Sequence, residues 1–163
     1  MSDISEEKTE SIGTFKAKLT LSKRPPPACG EILIDREIPS DLALVTPLVF
    51  RTIEFLKSGN FVRRENESTI ALCLEEALQN SVKHGNQRDF KKKVRLQVFL
   101  GEDEWGVIIS DEGPGFDLKS VRNPLDTDAL WGESGRGLYL MSHYMDRTDY
   151  YNGGNTVVMA KKL

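Results

Sequence analysis

Glu67-Ser68-Thr69-Ile70-Ala71-Leu72-Cys73-Leu74-Glu75-Glu76-Ala77-Leu78-Gln79-Asn80-Ser81-Val82-Lys83-His84-Gly85-Asn86 is the stretch from which the rest of the chain can be read. Ile70, Leu74, Ala77, Leu78 and Ser81 recur at helical spacing, which predicts one helix from Glu67 to about His84. Ser68 is available as its cap, and Gly85-Asn86 closes it. At about 100° per residue, Glu76 and Asn80 fall within about 40° of each other, on the side away from Ile70, Leu74 and Ala77. An amide oxygen suits a magnesium ion that keeps most of its waters. A carboxylate one turn away can hold a water or accept a hydroxyl proton. A Glu and an Asn so spaced are also common on any exposed helix face, so the pair alone does not decide a function.

Working outward from this helix, Glu31 to Ile38 mixes Ile32, Ile34 and Ile38 with charges and predicts a strand. Ser40 or Asp41 can cap a helix running to about Lys57, with Pro47 in its early turns and Gly59-Asn60 ending it. Beyond the central helix, Val94, Leu96, Val98 and Leu100 alternate with Arg95, Gln97 and Phe99, so Lys93 to Leu100 predicts a strand with one buried face. A short polar connection leads to a second strand, Trp105 to Ser110, and the two form an antiparallel hairpin. Asp146 to Tyr151 and Thr156 to Lys161 form another pair around Asn152-Gly153-Gly154-Asn155.

Residues 112–134 carry no sustained period and read as a long lid-like connection. A helix from about Gly137 to Met145 follows it. The element order implies an α+β fold: a two-layer α/β sandwich whose mixed, mostly antiparallel sheet carries helices on one face. Residues 1–28, with Pro25-Pro26-Pro27, read as a disordered lead-in to a domain at 29–163.

Three further segments carry chemistry. Asp111 ends an apolar strand just before Glu112-Gly113-Pro114-Gly115, where its carboxylate can accept a hydrogen bond from an exocyclic amine. Gly113 and Gly115 would let the chain turn against a flat base, although the same residues make an ordinary turn in any fold. Gly135-Arg136-Gly137 opens a helix whose free N–H groups can face phosphate oxygens, unless Ser134 or Glu133 merely caps it. Asn155-Thr156-Val157-Val158 completes the set. No GxxxxGK[ST] is present and no GxGxxG follows a strand, which disfavours the P-loop and dinucleotide folds.

Composition narrows the function classes. The 163 residues are 39% hydrophobic and 29% charged, enough for a packed core, and the net charge of −3 gives no basic stripe for nucleic acid. No apolar run approaches the roughly 20 residues of a membrane span, and no signal pattern opens the chain, so a cytoplasmic protein is expected. Cys29 and Cys73, far apart, predict neither a disulfide framework nor a zinc site.

Taken in order, these segments resemble the N, G1, G2 and terminal boxes of the GHKL ATPase superfamily, whose Bergerat fold holds ATP under a mobile lid. Glu76-Ala77-Leu78-Gln79-Asn80 with His84-Gly85, and Gly137-Leu138-Tyr139-Leu140-Met141 with Met145-Asp146, are most similar to bacterial anti-sigma factor serine/threonine-protein kinases. The likeness spans roughly residues 31 to 163. It implies that Glu76 is the general base, Asn80 the Mg2+ ligand and Asp111 the adenine contact. Lys83, His84, Gly113, Gly115, Gly135, Arg136, Gly137 and Leu138 would line the ATP, with Thr156 near the base. Some members place an arginine where this chain has Glu133; either Arg136 substitutes for it or that contact is absent. The implied partners are a sigma factor and an anti-sigma antagonist that accepts phosphate on Ser or Thr, and the resemblance allows a homodimer. A module that binds ATP and sequesters a partner without phosphotransfer is the alternative.

Overall fold

The computed structural model describes residues 20–116 and 133–163, and of residues 133–136 only the backbone. Among these, six strands form one sheet: β1 (Thr20–Leu21), β2 (Glu31–Pro39), β3 (Lys93–Leu100), β4 (Glu104–Ser110), β5 (Arg147–Tyr151) and β6 (Thr156–Lys162), in spatial order β1-β5-β6-β4-β3-β2. Every pairing is antiparallel except the short parallel β1–β5 contact. Three helices accompany the sheet: α1 (Val45–Ser58), α2 (Glu67–Asn80) and α3 (Glu133–Tyr144). This is the expected α+β two-layer arrangement.

The core follows from strand alternation. Leu96 and Val98 of β3 stand across from inward residues of β4, Leu96 opposite Ile109 and Val98 opposite Val107, while Val94 pairs with Ile38 of β2. Ile109 and Val107 in turn face Val157 and Met159 of β6. These side chains and Ile70, Leu74, Ala77 and Leu78 of α2 belong to one buried cluster, which places α2 over the middle of the sheet. Burying a residue such as Leu78 completely contributes about 1.5–3 kcal/mol.

Several boundaries differ from the sequence reading. Asp41 does cap, its carboxylate accepting from the Ala43 N–H at 2.9 Å, but the turn it starts is 3-10, and α1 proper begins at Val45 with Pro47 in its first turn. The residue that precedes α2 is Asn66 rather than Ser68, and the Asn66 side chain is engaged by the Arg63 N–H. The central helix does not run evenly to His84. It widens after Asn80 into a π-turn, Ser81–Gly85, closed by the Asn86 N–H on the Ser81 carbonyl at 2.8 Å. Helix α3 starts at Glu133, a turn before the expected Gly137. His143 is exposed and stacks on Tyr139.

Two findings concern the helix-free face of the sheet. Phe99, expected on an open face, is fully buried there with Ile108, Val158 and Ala160, beside Cys29 and Tyr151. Its ring covers Gly106, where an added Cβ would lie 2.5 Å from the Phe99 ring. The lead-in is also partly built into the domain. Thr20–Leu21 forms β1 at one edge of the sheet, whereas Glu31 starts β2 at the opposite edge, so residues 22–30 connect the two edges. Residues 1–19, and the lid expected within 112–134 from residue 117 to 132, lie outside the described residues.

Candidate nucleotide-binding site

A cavity of about 310 Å³ opens where α2, its π-turn, the C-terminal end of β4, the turn before β6 and α3 converge. Ala77, Asn80, Ser81, His84 and Gly85 supply one wall. Ile109, Tyr150 and Val157, from the sheet, supply another, and Leu138 reaches in from α3. Asp111 and Asn155 bring polar groups to this otherwise apolar floor. A slot with apolar side chains from the sheet and α3 on one side and convergent polar groups beside them suits a flat heterocycle with an exocyclic amine.

The setting of Asp111 is built by glycines. An added Cβ at Gly85 would lie 2.3 Å from the Asp111 carboxylate carbon, and one at Gly113 would lie 2.1 Å from the Gly85 carbonyl oxygen. Each glycine therefore allows the π-turn and the 111–113 segment to interlock. The Asp111 carboxylate accepts from the Gly113 N–H at 2.8 Å and from the Ser81 hydroxyl. Burial nevertheless pushes its pKa up to about 6, against the opposing effects of those hydrogen bonds and of Lys92. Beneath it, the buried Asn86 amide donates to Ser40 Oγ at 2.8 Å and to the Lys93 carbonyl at 3.0 Å, and accepts from the Glu112 N–H at 2.8 Å. One side chain thus ties the ends of β2, β3 and β4 below the cavity.

Glu76 and Asn80 meet α3 at Gly137. A Cβ there would lie 2.9 Å from Glu76 Oε2 and 3.2 Å from Asn80 Nδ2, so the glycine lets α3 approach the two polar groups. The helix pair expected to carry phosphate chemistry therefore stands beside the last glycine of the Gly135-Arg136-Gly137 segment. Because α3 begins at Glu133, residues 133–136 make up its first turn, and Gly137 lies one residue deeper. Gly135 and Arg136 remain in that first turn. The Arg136 and Glu133 side chains lie outside the described residues.

Of the residues expected to contact nucleotide, Asn80, His84, Asp111, Gly115 and Leu138 line the cavity. Gly113 lies directly behind Asp111, and Glu76 borders Gly137. Lys83 shares the π-turn but does not line the cavity. Thr156 is not brought to it either. Its hydroxyl bonds Ser110 Oγ and Asn155 Oδ1, and its strand neighbour Val157 is the one that faces the cavity. Asn155, one position earlier, does line the cavity: its carbonyl accepts from the Asp111 N–H at 2.9 Å and its amide donates to the Gly113 carbonyl at 3.3 Å.

The sequence reading also missed Tyr150 and Phe116, whose rings meet edge to face at 4.9 Å on the cavity wall. For Tyr150 the available signal was strand alternation, since Thr148 and Tyr150 are the buried positions of β5. Among the described residues no helix is long and apolar enough to cross a membrane.

Comparison with known proteins agrees with this geometry. Residues 38–161 match the histidine kinase-like ATPase domain. An anti-sigma F factor of Clostridium perfringens is 33% identical over 104 residues, covering 61% of this chain and 74% of the relative. An anti-sigma F factor of Oceanobacillus iheyensis is 33% identical, covering 58% and 68%. Serine-protein kinase RsbW of Listeria monocytogenes is 33% identical, covering 58% and 64%. The four segments, the sandwich that brings them together and the match across most of the chain establish that this protein belongs to the histidine kinase-like, GHKL-type, ATPase domain family.

Proposed function

We propose that this chain is an ATP-dependent serine/threonine-protein kinase that acts as an anti-sigma factor, phosphorylating an antagonist protein and sequestering a sigma factor. The observation that carries this reading is the placement of Glu76 and Asn80 at Gly137 while Asn80 also lines the cavity that holds Asp111. Base recognition and phosphoryl transfer would occupy opposite ends of one cleft. The names of the relatives, anti-sigma F factor and serine-protein kinase RsbW, support the same assignment.

Asp111 would accept the adenine amine, with Ile109, Val157 and Leu138 against the base. Glu76 would accept the proton of the attacking serine or threonine hydroxyl as its oxygen bonds the terminal phosphorus and the bond to the ADP oxygen breaks. The first turn of α3, which contains Gly135 and Arg136, would face phosphate oxygens with its free backbone N–H groups. Asn80 beside Glu76 is an all-oxygen donor pair, which fits Mg2+ with retained waters and not a thiolate-loving metal. That ion, when bound, neutralises charge on the phosphates. The domain proper would span 29–163, in the cytoplasm, with a homodimer as the expected assembly.

Transfer of labelled γ-phosphate from ATP to a purified antagonist protein tests the reaction. Glu76→Gln is expected to slow transfer by about 10²–10⁴-fold while ATP still binds. Transfer as fast as in the unaltered protein would remove Glu76 from the base role. Sigma-factor binding with no transfer at all by the unaltered protein would favour the sequestering module.

A further inference from the structure

The first described residues make a contact that the family segments do not include. Thr20 and Leu21 pair with Asp149 and Tyr150, Leu21 packs on the main core, and the Thr20 hydroxyl meets the Asp149 carboxylate. The Ser22 N–H donates to the Tyr150 carbonyl at 2.9 Å. Beyond this strand the arm stays attached, now as acceptor. The Gly153 N–H donates to the Ser22 carbonyl at 3.0 Å and the Asn152 N–H to the Arg24 carbonyl at 2.8 Å.

Those two amides belong to an unusual turn. Asn152, Gly153 and Gly154 have φ of 54°, 72° and 110°, three consecutive residues in the left-handed region. Such a turn persists where its surroundings over-determine it. Its opposite side is the cavity. The Gly153 carbonyl accepts from the Phe116 N–H at 3.0 Å, and a Cβ on Gly115 would lie 2.0 Å from that same oxygen. Gly154, Gly115 and Phe116 all line the cavity. The Gly153 residue is thus held by the arm through its N–H and holds the glycine-rich loop through its carbonyl. Tyr150 is two-sided in the same way, its carbonyl accepting from Ser22 while the residue lines the cavity.

We propose that residues 20–24 form a positioning arm for the nucleotide cavity, coupled to it through the 152–154 turn, so that docking of the arm and filling of the cavity favour one another. This rests on the nucleotide reading of the cavity. Because binding couplings are reciprocal, loosening the arm weakens nucleotide binding, and nucleotide tightens the arm. The arm would act on affinity through the wall formed by Gly115 and Phe116, without itself touching the nucleotide.

The test uses the full chain and ATP with Mg2+. Ser22→Pro removes the N–H that pairs with Tyr150, whereas Ser22→Ala keeps the backbone bonds and serves as control. Calorimetric titration is expected to give about five-fold or more weaker ATP binding for Ser22→Pro, with Ser22→Ala within about two-fold of the unaltered chain. In the unaltered chain, saturating ATP is expected to slow hydrogen exchange at the Ser22, Asn152 and Gly153 amides, a response that a purely structural brace would not give. Equal ATP affinity in a folded Ser22→Pro variant overturns the coupling, as does ATP-independent exchange at Ser22 if that variant does not fold. Absence of ATP binding to the unaltered chain would instead overturn the nucleotide reading itself.

Discussion

Asp111 concentrates the electrostatic cost of the site in one carboxyl. Its pKa is pushed up to about 6 mainly by burial, from an ordinary value of about 3.9 in an unfolded chain. Between about pH 4 and pH 6 the native protein therefore holds a proton that the unfolded chain has released. The sign is fixed: this contribution favours folding below that window and is lost as pH rises through it. Urea midpoints of the ligand-free protein at intervals from about pH 4 to 6.5 should show Asp111→Asn gaining relative stability as pH rises, then a plateau. The ionised carboxylate is also the better acceptor for an amine, so ATP affinity is expected to fall as pH drops below about 6. At this scale the sequence located the polar groups that the fold gathers: Asn80 and Asp111 line the cavity and Glu76 stands beside Gly137. It misled at Thr156, because strand alternation decides which of two adjacent polar residues faces the cavity, and Asn155 takes that place through its bonds to Asp111 and Gly113.

Helix α2 and the turn that follows it show how an element can be read correctly and still be incomplete. The apolar spacing of Ile70, Leu74, Ala77 and Leu78 located the helix, and all four are buried. Nothing in that spacing signals the π-turn at Ser81–Gly85, because the wider i to i+5 bond depends on what the turn meets in space. What it meets is the Asp111 segment, seated on Gly85, with Asn86 bonded to Glu112, Ser40 and Lys93. Asn86→Ala strands partners whose burial costs about 1–3 kcal/mol each. That variant is expected to melt several degrees lower and to bind ATP more weakly than the unaltered protein. Thermal melts with and without ATP check both effects, and an unchanged melting temperature would show that the three ties do not hold the elements together. The start of α3 at Glu133, ahead of its glycines, is the same lesson at a helix N-terminus: Gly135 and Gly137 looked like the opening, but Gly137 serves the close approach to Glu76 and Asn80.

For the molecule as a whole, the layered architecture was legible because period-2 and period-3.6 patterns alternate along the chain. The covering of the second sheet face was not. A strand pattern assigns Phe99 to the face opposite Val98 but carries no information on whether that face is buried. It is buried, with Ile108, Val158 and Ala160 around it. Phe99→Ala is accordingly expected to cost about 3–5 kcal/mol in chemical denaturation, whereas a loss below about 1 kcal/mol would mean that the face is open to water. The parallel contact of Thr20 with Asp149 was equally hidden, because residues 129 positions apart share no local pattern. The central claim is that the polar segments and the sandwich combine into one ATP site with Asp111 as its base-reading group. Calorimetric titration of ATP and GTP with Mg2+ into the unaltered protein and Asp111→Asn tests it most directly. The expected result is ATP binding with discrimination against GTP, and a loss of about ten-fold or more in ATP affinity on Asp111→Asn, as for removing a buried hydrogen-bonded acceptor. Equal affinity of the two proteins for ATP would contradict the account.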